Sequence, residues 1–273
     1  MPRALILSSF VAANRIGGGA QQLALMALGI EAVLAPTILL GRNPARGAVG
    51  LATDRALFQG LVDGIEAEGL FARTHLVITG YFASAAQVTM AAATLRKVRA
   101  AAPGATIVVD PIMGDDPKGL YVAPEVAEAI AAELVPLADW ITPNAWELSH
   151  LTGREITDAP GAAAAARSLG ARALVTSAPA RPGEIGLVCC DGPDARLYAH
   201  PRCAAAPNGT GDLVTAVFAA GLIQGLAPQA AAERAAIAAA QAVDAAGLGD
   251  LPLVGLAESL SHPAALLRIE TLS

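Results

Sequence analysis

Pro207-Asn208-Gly209-Thr210-Gly211-Asp212 stands between a polar loop and an apolar run, Leu213 to Leu226. The run reads as a helix, which puts Gly209 to Gly211 at or just before its N-terminus. Without a Cβ, Gly209 and Gly211 let backbone come close to a ligand. Free amides and the helix dipole at such a terminus favour an anion, phosphate above all. Asp212 is out of place in a plain phosphate cradle, because its carboxylate would repel the same anion. Its presence suggests a proton acceptor held beside an anion site. An ordinary loop with Asp212 as a helix cap satisfies the same residues, so the rest of the chain has to decide.

Outward from this stretch, short apolar runs alternate with helical segments. Ala4–Leu7, Glu31–Leu34, Leu76–Thr79, Thr106–Val109, Trp140–Thr142 and Ala173–Thr176 read as strands. Helices are expected over Gln21–Leu28, stopped by Gly29, and from a Thr53 cap through Glu68. Others run from Ser84 to about Ala101, Pro124 to about Leu134, Asn144 to Gly153 and over Ala162–Leu169. Pro36 to Gly50 and Asp110 to Tyr121 read as long loops. Ile185–Cys190 and Arg196–Ala199 form a hairpin across Asp191-Gly192-Pro193. Helices from Asp212, from Pro228 and near Leu266 finish the chain. Strands apolar on both faces that alternate with helices imply a mostly parallel sheet covered by helices. No linker or internal repeat divides the chain, so residues 1–273 read as one domain.

Ligands of such sheets bind at the carboxyl ends of the strands. Polar residues fall there repeatedly: Ser8 and Ser9, Thr37, Tyr81, Asp110 and Asp115, Thr142 and Asn144, Thr176 and Ser177. Six strand ends carrying polar groups weigh more than one motif.

Composition narrows the function classes. The 273 residues are 54% hydrophobic, enough for a sizeable core, and the formal net charge of −6 argues against a general nucleic-acid surface. Three cysteines, two of them adjacent as Cys189-Cys190, give neither a disulfide framework nor zinc spacing. The chain enters Ala4-Leu5-Ile6-Leu7 without a signal region, and no apolar run is long enough to span a bilayer. A soluble cytoplasmic protein is expected.

Asp110 and Asp115 place two carboxylates on one loop, the usual partners of magnesium when phosphate oxygens complete the shell; a capping Asp and a solvated Asp explain them as well. Asn144 and Glu147 share one face of a helical first turn, where Glu147 would reach a metal through water or close a capping box with Asn144. Thr176-Ser177 offers hydroxyls to a nucleotide or makes a simple strand-end turn. Taken together the parts describe phosphoryl transfer, which needs positioning, charge neutralisation and modest proton removal. The amides of Gly209 to Gly211 would stabilise the transferred group, and Asp212 would accept the proton of an attacking hydroxyl. None of His75, His150, His200 and His262 sits in a nucleophile motif, and no Gly-x-Ser-x-Gly, Walker loop or Gly-x-Gly-x-x-Gly after the first strand is present.

Four stretches carry a resemblance. Val109-Asp110-Pro111-Ile112-Met113-Gly114-Asp115, Gly119-Leu120-Tyr121-Val122-Ala123-Pro124, Ile141-Thr142-Pro143-Asn144-Ala145-Trp146-Glu147-Leu148 and Asn208-Gly209-Thr210-Gly211-Asp212 appear in the order found in pyridoxal kinases of the ribokinase superfamily, which the chain resembles. The resemblance implies a ribokinase-like three-layer α/β fold without a large β lid. It implies ATP as donor and the 5′-hydroxymethyl group of pyridoxal, pyridoxine or pyridoxamine as acceptor. Asp212 would be the base and Gly209, Thr210 and Gly211 the anion hole. Asp110, Asp115 and Glu147 would lie near Mg2+ and the phosphates. Tyr121, Thr142, Asn144, Thr176 and Ser177 would lie along the nucleotide, and Ser9, Thr37 and Tyr81 along the pyridine ring. A monovalent cation such as K+, a homodimer and a flap over Asp116 to Tyr121 belong to the same expectation. The chain departs from the family on the acceptor side: Phe10 stands where a His is usual, and Gly18 where an Asn is usual. Hydroxymethylpyrimidine kinases of the same superfamily are the nearest rival, but they commonly carry Cys where Asp212 stands. A binder that kept the fold without catalysis would have no use for the base.

Overall fold

Residues 1–47, 50–203, 206–246, 250–261 and 267–272 are described in the computed structural model. The chain opens with β1 (Arg3–Val11), α1 (Gly18–Ala27), β2 (Glu31–Leu40), β3 (Gly50–Ala52) and α2 (Arg55–Ala67). It continues with β4 (Leu76–Thr79), α3 (Ala85–Ala101), β5 (Thr106–Val109), a small ribbon of β6 (Gly114–Asp115) and β7 (Gly119–Leu120), and α4 (Pro124–Ala129). Next come β8 (Trp140–Ile141), α5 (Ala145–Thr152), α6 (Ala159–Ser168) and β9 (Arg172–Pro179). The hairpin of β10 (Glu184–Asp191) and β11 (Asp194–Pro201), then α7 (Thr210–Ile223), α8 (Pro228–Ala246), α9 (Leu256–Ser261) and β12 (Arg268–Leu272) complete it.

The main sheet runs β12-β11-β10-β9-β8-β5-β4-β1-β2-β3. From β9 across to β2 neighbours are parallel; β3 at one edge and β10 to β12 at the other are antiparallel. Among the described residues the only other sheet is the two-residue β6–β7 ribbon, so no large β lid is formed. Strand residues alternate between two cores, as the period of two requires. Leu5, Leu7, Val77, Ile107 and Val109 face α2 to α6, while Ala4, Ile6, Leu76, Ile78 and Val108 face α1, α7, α8 and α9. The expected mostly parallel sheet with helices on both faces is therefore the observed fold. No helix of the described residues is long and apolar enough to cross a membrane.

Several boundaries differ from expectation. β2 does not stop at Leu34 but runs to Leu40, because Ile38, Leu39 and Leu40 find partners in β3. The expected Pro36–Gly50 loop is thus largely strand, and Thr37 lies inside β2 rather than past it. Asp54, not Thr53, caps α2, accepting the Leu57 amide at 2.8 Å; the Thr53 hydroxyl instead donates to the Thr37 carbonyl at 2.9 Å. Thr176 and Ser177 lie within β9, which β10 extends by antiparallel pairing. β12 was not expected, since Arg268–Leu272 alternates weakly. The helix expected near Leu266 lies outside the described residues.

Candidate active site

α7 begins at the motif that opened the reading. Gly209 caps it in the left-handed region, φ 95°, and a Cβ there would collide with the Arg15 carbonyl. A side chain is excluded twice over, by backbone conformation and by space. The Thr210 hydroxyl donates to the Pro207 carbonyl at 2.8 Å and shapes the turn. Gly211 has open space where a Cβ would be. The first amides of a helix have no intrahelical acceptor, and the Gly211 amide has none elsewhere among the described residues. Among the described residues the Gly211 amide is thus open to an anion, and no side chain fills the space beside it.

Asp212 occupies the first turn of α7, 7% exposed. Its Oδ2 accepts the Gly17 amide at 2.8 Å, while Oδ1 is buried without a partner among the described residues. Burial pushes its carboxyl up to about 6, against the opposing pull of the Gly17 amide. A group poised near neutrality suits proton transfer.

Behind it the carboxylates gather. Asp110, just past β5, is 6% exposed, and its Oδ2 accepts the Thr215 hydroxyl of α7 at 2.9 Å. The same hydroxyl lies 2.9 Å from Thr142 Oγ1. Burial, then repulsion by Glu147 and Asp212, holds the Asp110 carboxyl well above its ordinary range. Glu147 accepts the Met113 amide at 2.8 Å and the Asn144 amide at 2.9 Å, and burial pushes it up to about 7. Asn144 accepts the Glu147 amide at 2.8 Å, so the two form a capping box. The capping-box reading of the pair is thus what the structure holds, and Glu147 in addition fastens the Met113-Gly114 turn. Asp115 is exposed and accepts the Asp116 amide at 2.8 Å, within range to raise Glu147.

Among the described residues no set of three His, Cys, Asp or Glu side chains is close enough to hold a metal alone. No Lys or Arg pairs with Asp110, Glu147 or Asp212 among those residues. Buried carboxylates that repel one another and lack a counter-ion fit a cation that takes its remaining oxygens from phosphate and water. Glu147, with both oxygens engaged by amides, fits such an ion through water rather than directly.

Two β-bulges interrupt the strand pairing on β2 and β9. On β2, Thr37 and Ile38 together face the single residue Ser9 between the Ser8 and Phe10 pairings. On β9, Thr176 and Ser177 face Leu187, and Ser177 takes φ 53°. Bulges re-aim side chains, and Ser177 is turned outward to solvent while Thr176 stays buried with its amide on the Pro143 carbonyl at 2.8 Å. Tyr121 is 46% exposed over the whole residue, yet its phenol end is held above the ordinary range, first by burial and then by Glu147, Asp110, Asp212 and Asp115 around it.

On the acceptor side Ser9 packs against Gly17, where a Cβ would strike its Oγ. Thr37 corrects an expectation. It lies inside β2 instead of past it, its hydroxyl donates to the Tyr81 carbonyl at 2.6 Å, and the residue is 0% exposed, so it secures Tyr81. Tyr81 is partly buried, which raises its phenol. At the departures, Gly18 is crowded: a Cβ there would meet Leu34 Cδ1 at 2.5 Å and the Ser9 carbonyl at 3.0 Å, so a side chain would require Leu34 to shift. Phe10 is 37% exposed, with its ring 3.6 Å from where a Cβ on Gly19 would lie.

Three structural features around these residues escaped the sequence. The Gly17 amide that holds Asp212 is backbone and leaves no residue signature. Ile112, at φ 31°, is a strained β-branched residue in the loop after β5. Thr215 did leave a signal: it is the polar residue within the buried stretch Leu213 to Gly221, three positions after Asp212.

A family model described as phosphomethylpyrimidine kinase matches residues 53–251. A pyridoxine/pyridoxal/pyridoxamine kinase of Bordetella avium is 35% identical over 252 residues, covering 89% of this chain and 85% of the relative. A pyridoxal kinase of Deinococcus radiodurans is 33% identical over 233 residues, 80% of this chain and 78% of the relative. Among solved structures, pyridoxal kinase from Entamoeba histolytica superposes with a TM-score of 0.91 at 25% identity, covering 100% of both chains. That from Leishmania donovani, in complex with ADP and pyridoxamine, gives 0.89 at 26%, again over 100% of both chains. The chain belongs to the phosphomethylpyrimidine kinase family and, within it, to the pyridoxal kinases.

Proposed function

We propose that residues 1–273 form one kinase domain that transfers the γ-phosphoryl group of ATP to the 5′-hydroxymethyl group of pyridoxal, pyridoxine or pyridoxamine. The observation that carries this is Asp212: a buried carboxylate with one oxygen held by Gly17 and the other unpartnered, beside the open cradle at Gly211. Asp212 takes the proton of the acceptor alcohol as the new O–P bond forms. The bond from the phosphoryl group to ADP breaks, and the amides at Thr210 and Gly211 receive the charge on the moving group. Asp110 and, through water, Glu147 and Asp115 would hold Mg2+, which neutralises phosphate charge when bound. Thr142, Asn144, Thr176, Ser177 and Tyr121 would line the nucleotide, and Ser9 and Tyr81 the acceptor ring. A monovalent cation such as K+, a homodimer and action in the cytoplasm complete the reading, the last in keeping with three free thiols.

The test is ADP release with ATP and Mg2+ in the presence of pyridoxal, pyridoxine, pyridoxamine or hydroxymethylpyrimidine. Turnover with the three vitamers above the pyrimidine is expected. Turnover with the pyrimidine alone would move the acceptor assignment, and binding without turnover would remove the kinase.

A further inference from the structure

Thr215 lies one turn beyond Asp212 on α7 and is 0% exposed. Around it Leu213, Val214, Ala216, Val217 and Phe218 are buried apolar residues, so the packing of this helix asks for no hydroxyl. Yet the Thr215 Oγ1 stands 2.9 Å from Asp110 Oδ2 and 2.9 Å from Thr142 Oγ1. A hydroxyl has one proton, so it donates to one neighbour and accepts from the other. With Asp110 ionised, the order is Thr142 to Thr215 to Asp110: each hydroxyl donates to the next, and the last proton points at the carboxylate. The contact joins residues 105 apart and ties the loop after β5 to the helix that carries Asp212.

We propose that Thr215 is a positioning residue for phosphoryl transfer: it fixes the Asp110 carboxylate at a set distance from Asp212, so that the cation side and the base side of the cleft move as one piece. No Lys or Arg among the described residues pairs with Asp110, and the Thr215 hydroxyl is the side-chain partner its carboxylate has there. Hydrogen bonds that end on a charged group are the stronger kind. The inference rests on the kinase reading above, and it predicts a defect in cation use rather than in acceptor recognition.

The experiment compares the parent with Thr215→Val, which keeps the shape and removes the hydroxyl, and with Thr215→Ser, which keeps the hydroxyl and removes the methyl. Two quantities are read: the Mg2+ concentration giving half-maximal rate at saturating ATP and acceptor, and the Mg2+ dependence of ADP binding by calorimetry without turnover. Thr215→Val should raise the first roughly tenfold and weaken Mg2+-dependent ADP binding by a similar factor, the size of a lost hydrogen bond to a charged group. The acceptor KM should stay within about twofold of the parent, and Thr215→Ser should restore both cation measures to about the parent values. Thr215→Ala carries the same comparison if the valine variant does not fold. Parent-like cation measures in Thr215→Val, or equal losses in the serine and valine variants, would overturn the proposal. A parent that turns over no acceptor defeats the kinase reading, while the calorimetric arm still decides the role of Thr215.

Discussion

The side-chain amide of Asn144 donates to the carbonyl of Gly114 at 2.8 Å, so the residue that caps α5 also clamps the β6–β7 ribbon. Gly114 lies so close to the Trp146 ring that any Cβ would enter it, which makes the ribbon a fitted cover over the start of α5. Cap and clamp use different atoms of Asn144 and are separable. Asn144→Ala should lower stability by about 1 kcal/mol or more through loss of the cap and raise the KM for ATP. Asn144→Asp keeps the cap but cannot donate to Gly114. Its melting temperature should stay near the parent's while the KM for ATP remains raised. Thermal unfolding and steady-state kinetics on the two variants check this.

Asp212→Asn should reduce turnover by about two to four orders of magnitude, the range for a lost general base, with ATP binding largely intact. In the parent, activity should rise with pH through about 6 as the Asp212 carboxylate forms. That limb should vanish from the residual activity of the variant, as a pH–rate profile of both proteins will show.

The same carboxyl has a signature in stability. An unfolded Asp titrates near 4, whereas burial pushes Asp212 up to about 6. Between these values the native state binds more protons than the unfolded one, so the unfolding free energy falls as pH rises through the window and is level above it. Asp212→Asn removes the penalty. Chemical denaturation should find the variant more stable than the parent at pH 8 by up to about 3 kcal/mol, with the gap closing below about pH 4.

The two glycines of the cradle should respond differently. At Gly209, alanine meets a left-handed backbone and the Arg15 carbonyl, and should cost about 2 kcal/mol or more of stability. At Gly211, alanine enters open space in the first turn of a helix and should leave the melting temperature unchanged or slightly raised. It puts a methyl group beside the anion cradle, so turnover should fall without loss of fold. Equal melting shifts in the two variants would contradict the assignment.

The sheet was readable because its strands are apolar on both faces and its helices carry their caps in the sequence: Ser84 for α3 and Asn144 for α5 act as expected. Extent was harder. β2 and β9 run on through partners supplied by β3 and β10, a tertiary effect that no local pattern contains. In the site, Asp212 and the glycines could be placed because a helix start constrains them. Thr37 could not: a strand-end threonine and a mid-strand threonine look alike until the bulge against Ser9 is seen. Thr215 was hidden by its own surroundings, a short polar side chain in a run that reads as helix core.

The bond from the Gly17 amide to Asp212 spans 195 positions of chain, and on the kinase reading its consequence would be regiochemical. A carboxylate with two open oxygens can greet an alcohol from many bearings; with Oδ2 engaged by the Gly17 amide, the approach to Oδ1 is favoured. Pyridoxine carries two neighbouring hydroxymethyl arms on one ring. On the reading of Asp212 as the base, the arm that projects toward the open oxygen would be the one phosphorylated, whatever the third substituent on the ring happens to be.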